Sequence, residues 1–176
     1  MRTDRRKFLK TAGATIGALS LGPGIMRHAS AQANVIKVAG IHDLSGGLDI
    51  YGRPMVDCLS FAVEEINAAG GLLGKQLKLI SYDAQSNIQL YTQFATEAAT
   101  KERVAVVHAG ITSASREAIR PVLKRFNTLY FYNTQYEGGV CDRNCFCTGS
   151  TPAQNVDKLV PFGLKKFGKR HFGFSH

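Results

Sequence analysis

The chain has 176 residues, 22 of them Lys or Arg and 13 Asp or Glu, for a formal charge of +9. That length suits one ordinary domain, or slightly more, with a real core. The charge is unevenly placed: residues 1–31 hold six basic side chains and one acid, which accounts for five of the nine charges and leaves +4, so the near-neutral middle of the chain argues against nucleic acid as a partner.

In chain order, the first segment reads as an export signal. "DRRKFLK" is a basic start, "TAGATIGALSLG" a mildly apolar run, and "HASAQA" a set of small residues with a cleavage site after Ala31. Arg5 and Arg6 before Phe8-Leu9-Lys10 resemble the twin-arginine signal, which carries folded proteins out of the cytoplasm. The apolar run is too short and too rich in Gly and Ala to span a bilayer stably. Residues 1–31 are therefore expected to be a twin-arginine signal peptide, and the mature chain to be periplasmic with no stable membrane span.

"VIKVAGI" (35–41) predicts a first strand, and "HDLSGGLDIYGRP" a glycine-rich loop. "MVDCLSFAVEEINAAGG" carries Met55, Leu59, Ala62, Val63 and Ile66 at helical spacing and stops at Gly70-Gly71. A second strand is expected over 75–84, a helix over 88–104, and a third, strongly apolar strand over 104–110. "SREAIRPVLKRFN" predicts a third helix and "TLYFY" a fourth strand. The βαβαβαβ rhythm with short connections predicts an α/β fold: a parallel sheet with helices on both faces. After Tyr132 comes an irregular loop, then a helix from Thr151 with Pro152 at its first position and Pro161 set to kink or split it. "KRHFGFSH" predicts a strand just beginning. The expected organisation is a first lobe over 32–136 and, over 137–176, a hinge crossing with the start of a second lobe that is largely missing.

The cysteines are Cys58, Cys141, Cys145 and Cys147. Export favours disulfides, and Asp142-Arg143-Asn144 is turn chemistry inside a short loop. A Cys141–Cys147 bridge is expected, with Cys141–Cys145 as the alternative, and Cys58 is expected as a buried free thiol in its helix. Three clustered cysteines without a convincing fourth ligand make a poor zinc site, so no metal is expected.

Ligands of open parallel sheets bind at the carboxyl ends of the strands. Three loops lie there: 44–52, 110–115 and 132–136. Thr112, Ser113 and Ser115 open a helix, where free backbone N–H groups suit a carboxylate or amide oxygen. The competing role for these hydroxyls is ordinary capping. Ser113, His108 and Asp43 do not make a credible triad, because no G-x-S-x-G turn surrounds the serine and His108 falls inside an apolar strand. "SGGLDIYG" lacks the spacing and lysine of a phosphate loop. No catalytic residue and no cofactor are expected.

"FAVEEINAAGGLLGKQLKL" resembles type I periplasmic substrate-binding proteins of ABC transporters, in the branched-chain amino acid, urea and short-chain amide class. "TSASREAIRPV", then "LYFYNTQYEG", then "TGSTPAQN" are closer still to the urea and amide receptors, and the resemblance runs from about Val35 to the C-terminus. It implies two α/β lobes hinged around a small ligand (an amide, urea or an amino acid), which is delivered to a transporter permease. It implies that Ser113, with Thr112, contacts the ligand, that Tyr51 lines the cleft, and that Tyr132, Asn133 and Thr134 face it. This chain has Asn133-Thr134 where the urea receptors usually have Pro-Val, its "GGVCDRNCFC" loop differs, and the family is about twice as long. The alternatives are an amide-sensing regulator of the same fold or a truncated fragment without function.

Overall fold

The computed structural model describes residues 35–168. The export segment with Arg5 and Arg6, and the strand expected within 169–176, lie outside them. Strands β1 (Val35–His42), β2 (Gln76–Asp83), β3 (Val106–Ala109), β4 (Leu129–Tyr132) and β5 (Cys145–Cys147) form one sheet in the order β2-β1-β3-β4-β5. The β1–β3, β3–β4 and β4–β5 pairs are parallel. The helices are α1 (Asp49–Ala68), α2 (Ile88–Glu97), α3 (Ser113–Arg125), α4 (Pro152–Val156) and α5 (Leu159–Phe167), and a π-helical turn over Ala98–Glu102 extends α2.

Register explains how the two sheet faces differ. Ala39, Val107, Tyr130 and Cys145 lie opposite one another across four strands, and all are buried. Strand alternation puts them on one face, where Tyr91, Ala95 and Ala98 from the α2 side and Ile119 and Leu123 from α3 complete the core. Fully burying side chains such as Ile119 and Leu123 is worth about 1.5–3 kcal/mol each. The next row, Gly40, His108, Phe131 and Phe146, belongs to the opposite face. There α1 covers only part of the sheet: Val63 is buried, but Cys58, Phe61 and Ile66 are exposed. Phe131 and Phe146 stack with ring centroids 5.1 Å apart, and Phe146 remains 44% exposed. Cys58 is therefore not the buried thiol that its helical spacing suggested, because the stripe it extends has no covering layer among the described residues.

Other expectations need correction. Helix α1 starts at Asp49, not near Met55, and takes in Gly52-Arg53-Pro54, so the glycine-rich loop is shorter than expected. Gly52 makes this possible, since a Cβ there would stand 2.0 Å from the Asp43 carbonyl oxygen. β5 adds a fifth strand inside the stretch expected to be irregular. The break in the last helix falls at Asp157-Lys158, and Pro161 sits in the first turn of α5, where its missing N–H costs nothing. All four cysteines are free thiols, and the expected Cys141–Cys147 bridge is not formed. Alternation along β5 instead brings Cys145 and Cys147 to the same face, where the Cys145 thiol hydrogen-bonds Cys147.

The exposed apolar side chains expected in the last helix are present: Val160, Phe162 and Leu164 are each about half exposed.

Gly149 packs on the end of β4 so closely that an added Cβ would lie 1.5 Å from the Thr134 carbonyl oxygen. Gly149→Ala should therefore destabilise the fold by at least the ~1–3 kcal/mol typical of overpacking, read as a lower urea midpoint. Gly47→Ala, in open space, should change it far less.

Candidate functional site

The carboxyl ends of β1, β3 and β4 are tied together before any ligand is considered. After β1, the Asp83 carboxylate accepts from the Leu44 and Ser45 amides at 2.9 and 3.1 Å and from the Ser45 hydroxyl at 2.6 Å. Burial works to raise the Asp83 pKa, but the hydrogen bonds from Ser45, Gln85 and Leu44 outweigh it and hold the carboxyl below its ordinary value. The Ser86 amide donates to Asp43 Oδ1 at 2.7 Å, which joins the β1 and β2 loops.

After β3, Thr112 is the N-cap of α3. Its hydroxyl accepts from the Ser115 amide at 3.1 Å, and the Ser115 hydroxyl receives the Thr112 amide at 3.1 Å. Thr112 and Ser115 are thus used as a reciprocal cap. Ser113 is free of that duty. It is exposed at the first helical position, and its hydroxyl donates to Glu137 Oε2 at 2.9 Å.

After β4, Tyr132 is buried, with its hydroxyl donating to the Ile111 carbonyl at 2.9 Å; Thr134 donates to the same oxygen at 2.8 Å. Tyr132 therefore supports the two loops from beneath, and its side chain belongs to the core. Beyond it, Arg116 holds the 133–140 segment. Its side chain is 3% exposed, it meets Glu137 through both guanidinium amines (Nη1 to Oε2 is 3.0 Å), and it lies 4.9 Å above the Tyr132 ring and 5.3 Å from the Tyr136 ring. The Arg116 hydrogen bonds pull the Glu137 carboxyl down to about 2.

Two hollows result. One, of about 610 Å³, is lined by Tyr51, Pro54, Met55, Cys58 and Leu59 of α1 and by His108, Asn133 and Thr134. The other, of about 390 Å³, is lined by Ser113, Gln135, Tyr136 and Glu137 with Ser150 and Asn155. Of the residues expected to meet a ligand, the structure brings Tyr51, Asn133 and Thr134 into one cleft and places Ser113 in the other hollow. Thr112 is occupied as a cap and Tyr132 is internal.

His108 was passed over as a structural residue because it sits in an apolar strand. Its Nδ1 lies 2.8 Å from Nε2 of His42, and its Nε2 meets the Asn133 amide. Strand alternation could have flagged it, since Val107 and Ala109 take the core face and leave His108 on the other. Burial, and then the neighbouring His108, push His42 down to about 3; burial also lowers His108. Arg116 and Glu137 were legible only as parts of motifs, because nothing in sequence spacing pairs residues 21 positions apart.

A periplasmic binding protein domain matches residues 36–174 of this chain. The chain belongs to the periplasmic binding protein family. Among curated relatives, a Leu/Ile/Val-binding protein homolog 7 of Brucella melitensis is 32% identical over 114 residues, which are 65% of this chain and 28% of that one. Among solved structures, the branched-chain amino acid transporter substrate binding protein LivJ of Streptococcus pneumoniae, in complex with isoleucine, is 29% identical with a TM-score of 0.54, over 55% of this chain and 28% of that one. A substrate-binding periplasmic protein of Ralstonia solanacearum superposes with a TM-score of 0.66 over 74% of this chain and 38% of that one, at 19% identity. The chain thus spans about 28% of the length of the curated relatives it matches. Its parallel five-stranded sheet is that of the type I binding proteins, whose sites stand where open α/β sheets place theirs.

Both buried imidazoles are held neutral, which sets a pH dependence. Their folded pKa values lie below the ordinary 6.5, so below that pH the unfolded chain binds more protons than the folded one. Stability is then full above pH 6.5 and falls as pH drops toward 3, by up to about 1.4 kcal/mol per pH unit for each imidazole still neutral in the fold. Urea midpoints at pH 7.5, 6 and 5, above most carboxylate titration, should show this fall. His42→Leu should flatten it, and an equal slope in the variant would refute the assignment.

Proposed function

We propose that this chain is the ligand-binding lobe of an extracytoplasmic receptor that passes a small amino acid or amide to an ABC importer. The observation that carries this reading is the convergence of Tyr51, from the first turn of α1, with Asn133 and Thr134, from the end of β4, on one cleft at the carboxyl ends of parallel strands. The cleft wall from α1 is apolar (Pro54, Met55, Leu59), while Asn133 and Thr134 offer directional hydrogen bonding, the combination typical of small-molecule sites. Ser113 supplies a hydroxyl at the start of α3, beside the helix N-terminus that suits a carboxylate.

An amino acid is the first choice of ligand. The relatives' names point to leucine, isoleucine and valine, and an aliphatic side chain fits the α1 wall. Urea or a short amide is the second choice, supported by the "TSAS" and "QYEG" segments and by the added amide of Asn133.

Hinged receptors gain affinity by closing two walls on the ligand. With one wall, each hydrogen bond competes with water and nets about 0.5–1.5 kcal/mol, which does little more than offset the cost of immobilising the ligand. Titration calorimetry of residues 32–176 with leucine, isoleucine, urea, acetamide and formamide should give millimolar binding or none. A micromolar dissociation constant for any of them would show that one lobe suffices.

We further propose periplasmic delivery by the twin-arginine route. Changing Arg5 and Arg6 together to Lys should abolish appearance of the protein in the periplasmic fraction. Unchanged export would exclude that route.

A further inference from the structure

Four polar side chains stand in a line across neighbouring strand ends. They are His42 at the end of β1, His108 in β3, Asn133 after β4 and Thr148 after β5. His42 Nε2 lies 2.8 Å from His108 Nδ1, His108 Nε2 meets Asn133 Nδ2, and Thr148 Oγ1 donates to Asn133 Oδ1 at 2.7 Å. An amide nitrogen can only donate, so His108 Nε2 accepts and its proton sits on Nδ1. That N–H points to His42 Nε2, which must also accept. The His42 proton is left on Nδ1, which is buried and has no partner. Every member of the line is thus polarised by the orientation of one amide, that of Asn133.

The line has a second complete arrangement. If His108 gains a proton, both its nitrogens donate, and Nε2–H can no longer face an NH₂ group. Turning the Asn133 amide by half a rotation brings Oδ1 to His108 and Nδ2 to the Thr148 hydroxyl oxygen, which can accept. Asn133 and His108 both line the cleft, so the donor and acceptor edges that Asn133 leaves for a ligand exchange places. The titratable side chains that face His108 are His42 from β1 and, across the cleft, Tyr51 and Cys58 from α1. Burial is the cause of its shift, with no carboxylate acting on it among the described residues.

We propose that His108 is a positioning residue for the cleft, fixing through the Asn133 amide which polar edge a ligand meets, and that proton uptake by His108 reverses that edge. The ligand-facing half of this rests on the receptor reading above; the hydrogen-bond relay itself does not.

NMR of the 176-residue protein tests it without a ligand. The His108 ring nitrogens and the Asn133 side-chain NH₂ pair are followed from pH 7.5 to 4.5. The expected result is a His108 Nδ1–H tautomer at pH 7.5, and Asn133 NH₂ signals that shift with the same midpoint as His108. His108→Gln keeps an acceptor in place but cannot titrate, so its Asn133 signals should hold their high-pH positions throughout. Asn133 signals that stay still while His108 titrates, or that shift equally in His108→Gln, would overturn the proposal. Should His108→Gln fail to fold, the wild-type midpoints alone decide. Millimolar leucine added at pH 7.5 then probes the receptor reading separately: a working relay with no leucine response at Asn133 counts against that reading and not against the relay.

Discussion

The geometry of the site depends on a single buried cation. Arg116 lies in the first turn of α3 with its side chain almost wholly out of water. A guanidinium in such a place is costly unless its donors are matched, and here Glu137 takes two of them while Glu117 takes a third. The aromatic faces of Tyr132 and Tyr136 occupy the space around it. Because Glu137 is drawn in from a segment with no regular structure of its own, this pair sets the path of the chain between β4 and β5. Ser113 then finds its partner on the same carboxylate. The ordering of Asn133, Thr134 and Gln135 follows from an interaction several residues away.

A second constraint acts at the Ile111 carbonyl. Tyr132 and Thr134, two residues apart on one strand end, both donate to it. A carbonyl has two lone pairs, and here both are used by the same neighbouring strand. The loops after β3 and β4 therefore move as one piece. The β1 loop is held independently, by Asp83 from β2. The cleft is bounded by two separately anchored units, α1 with its loop on one side and the paired β3 and β4 loops on the other.

Much of this was legible in the residues. The period-two runs around Val107 and Tyr130 and the 3.6-residue stripes of α2 and α3 mark strands and helices that share one buried face, and these were read correctly. The α1 stripe was also read correctly as a helix but wrongly as a buried one, since periodicity says which residues share a face and nothing about what covers it. β5 escaped notice because three residues, Cys145-Phe146-Cys147, are too few to show a period. Its existence depends on β4 offering an open edge. For the site, Tyr51, Asn133 and Thr134 were reachable from the general position of ligands on open sheets and from the family resemblance. The division of the TSAS hydroxyls between capping and an exposed contact was not, because Thr112, Ser113 and Ser115 are equally good caps as letters. Only the chain direction at Gly110-Ile111 decides which of them becomes the N-cap. The His42–His108 contact joins residues 66 positions apart, a distance over which local pattern carries no information.

The contact between Gly149 and the Thr134 carbonyl bears on how such a cleft can change over evolutionary time. Any side chain at position 149 would push the β4 loop outward, and a shifted Thr134 would drag Ile111 and the start of α3 with it. That wall tolerates little drift. The opposite wall is built from side chains on the surface of α1, at Tyr51, Met55 and Cys58, whose replacement disturbs no backbone. Selectivity in this lobe can therefore be retuned from one side only, by substitutions along a single helix, while the other side stays an inherited fixture.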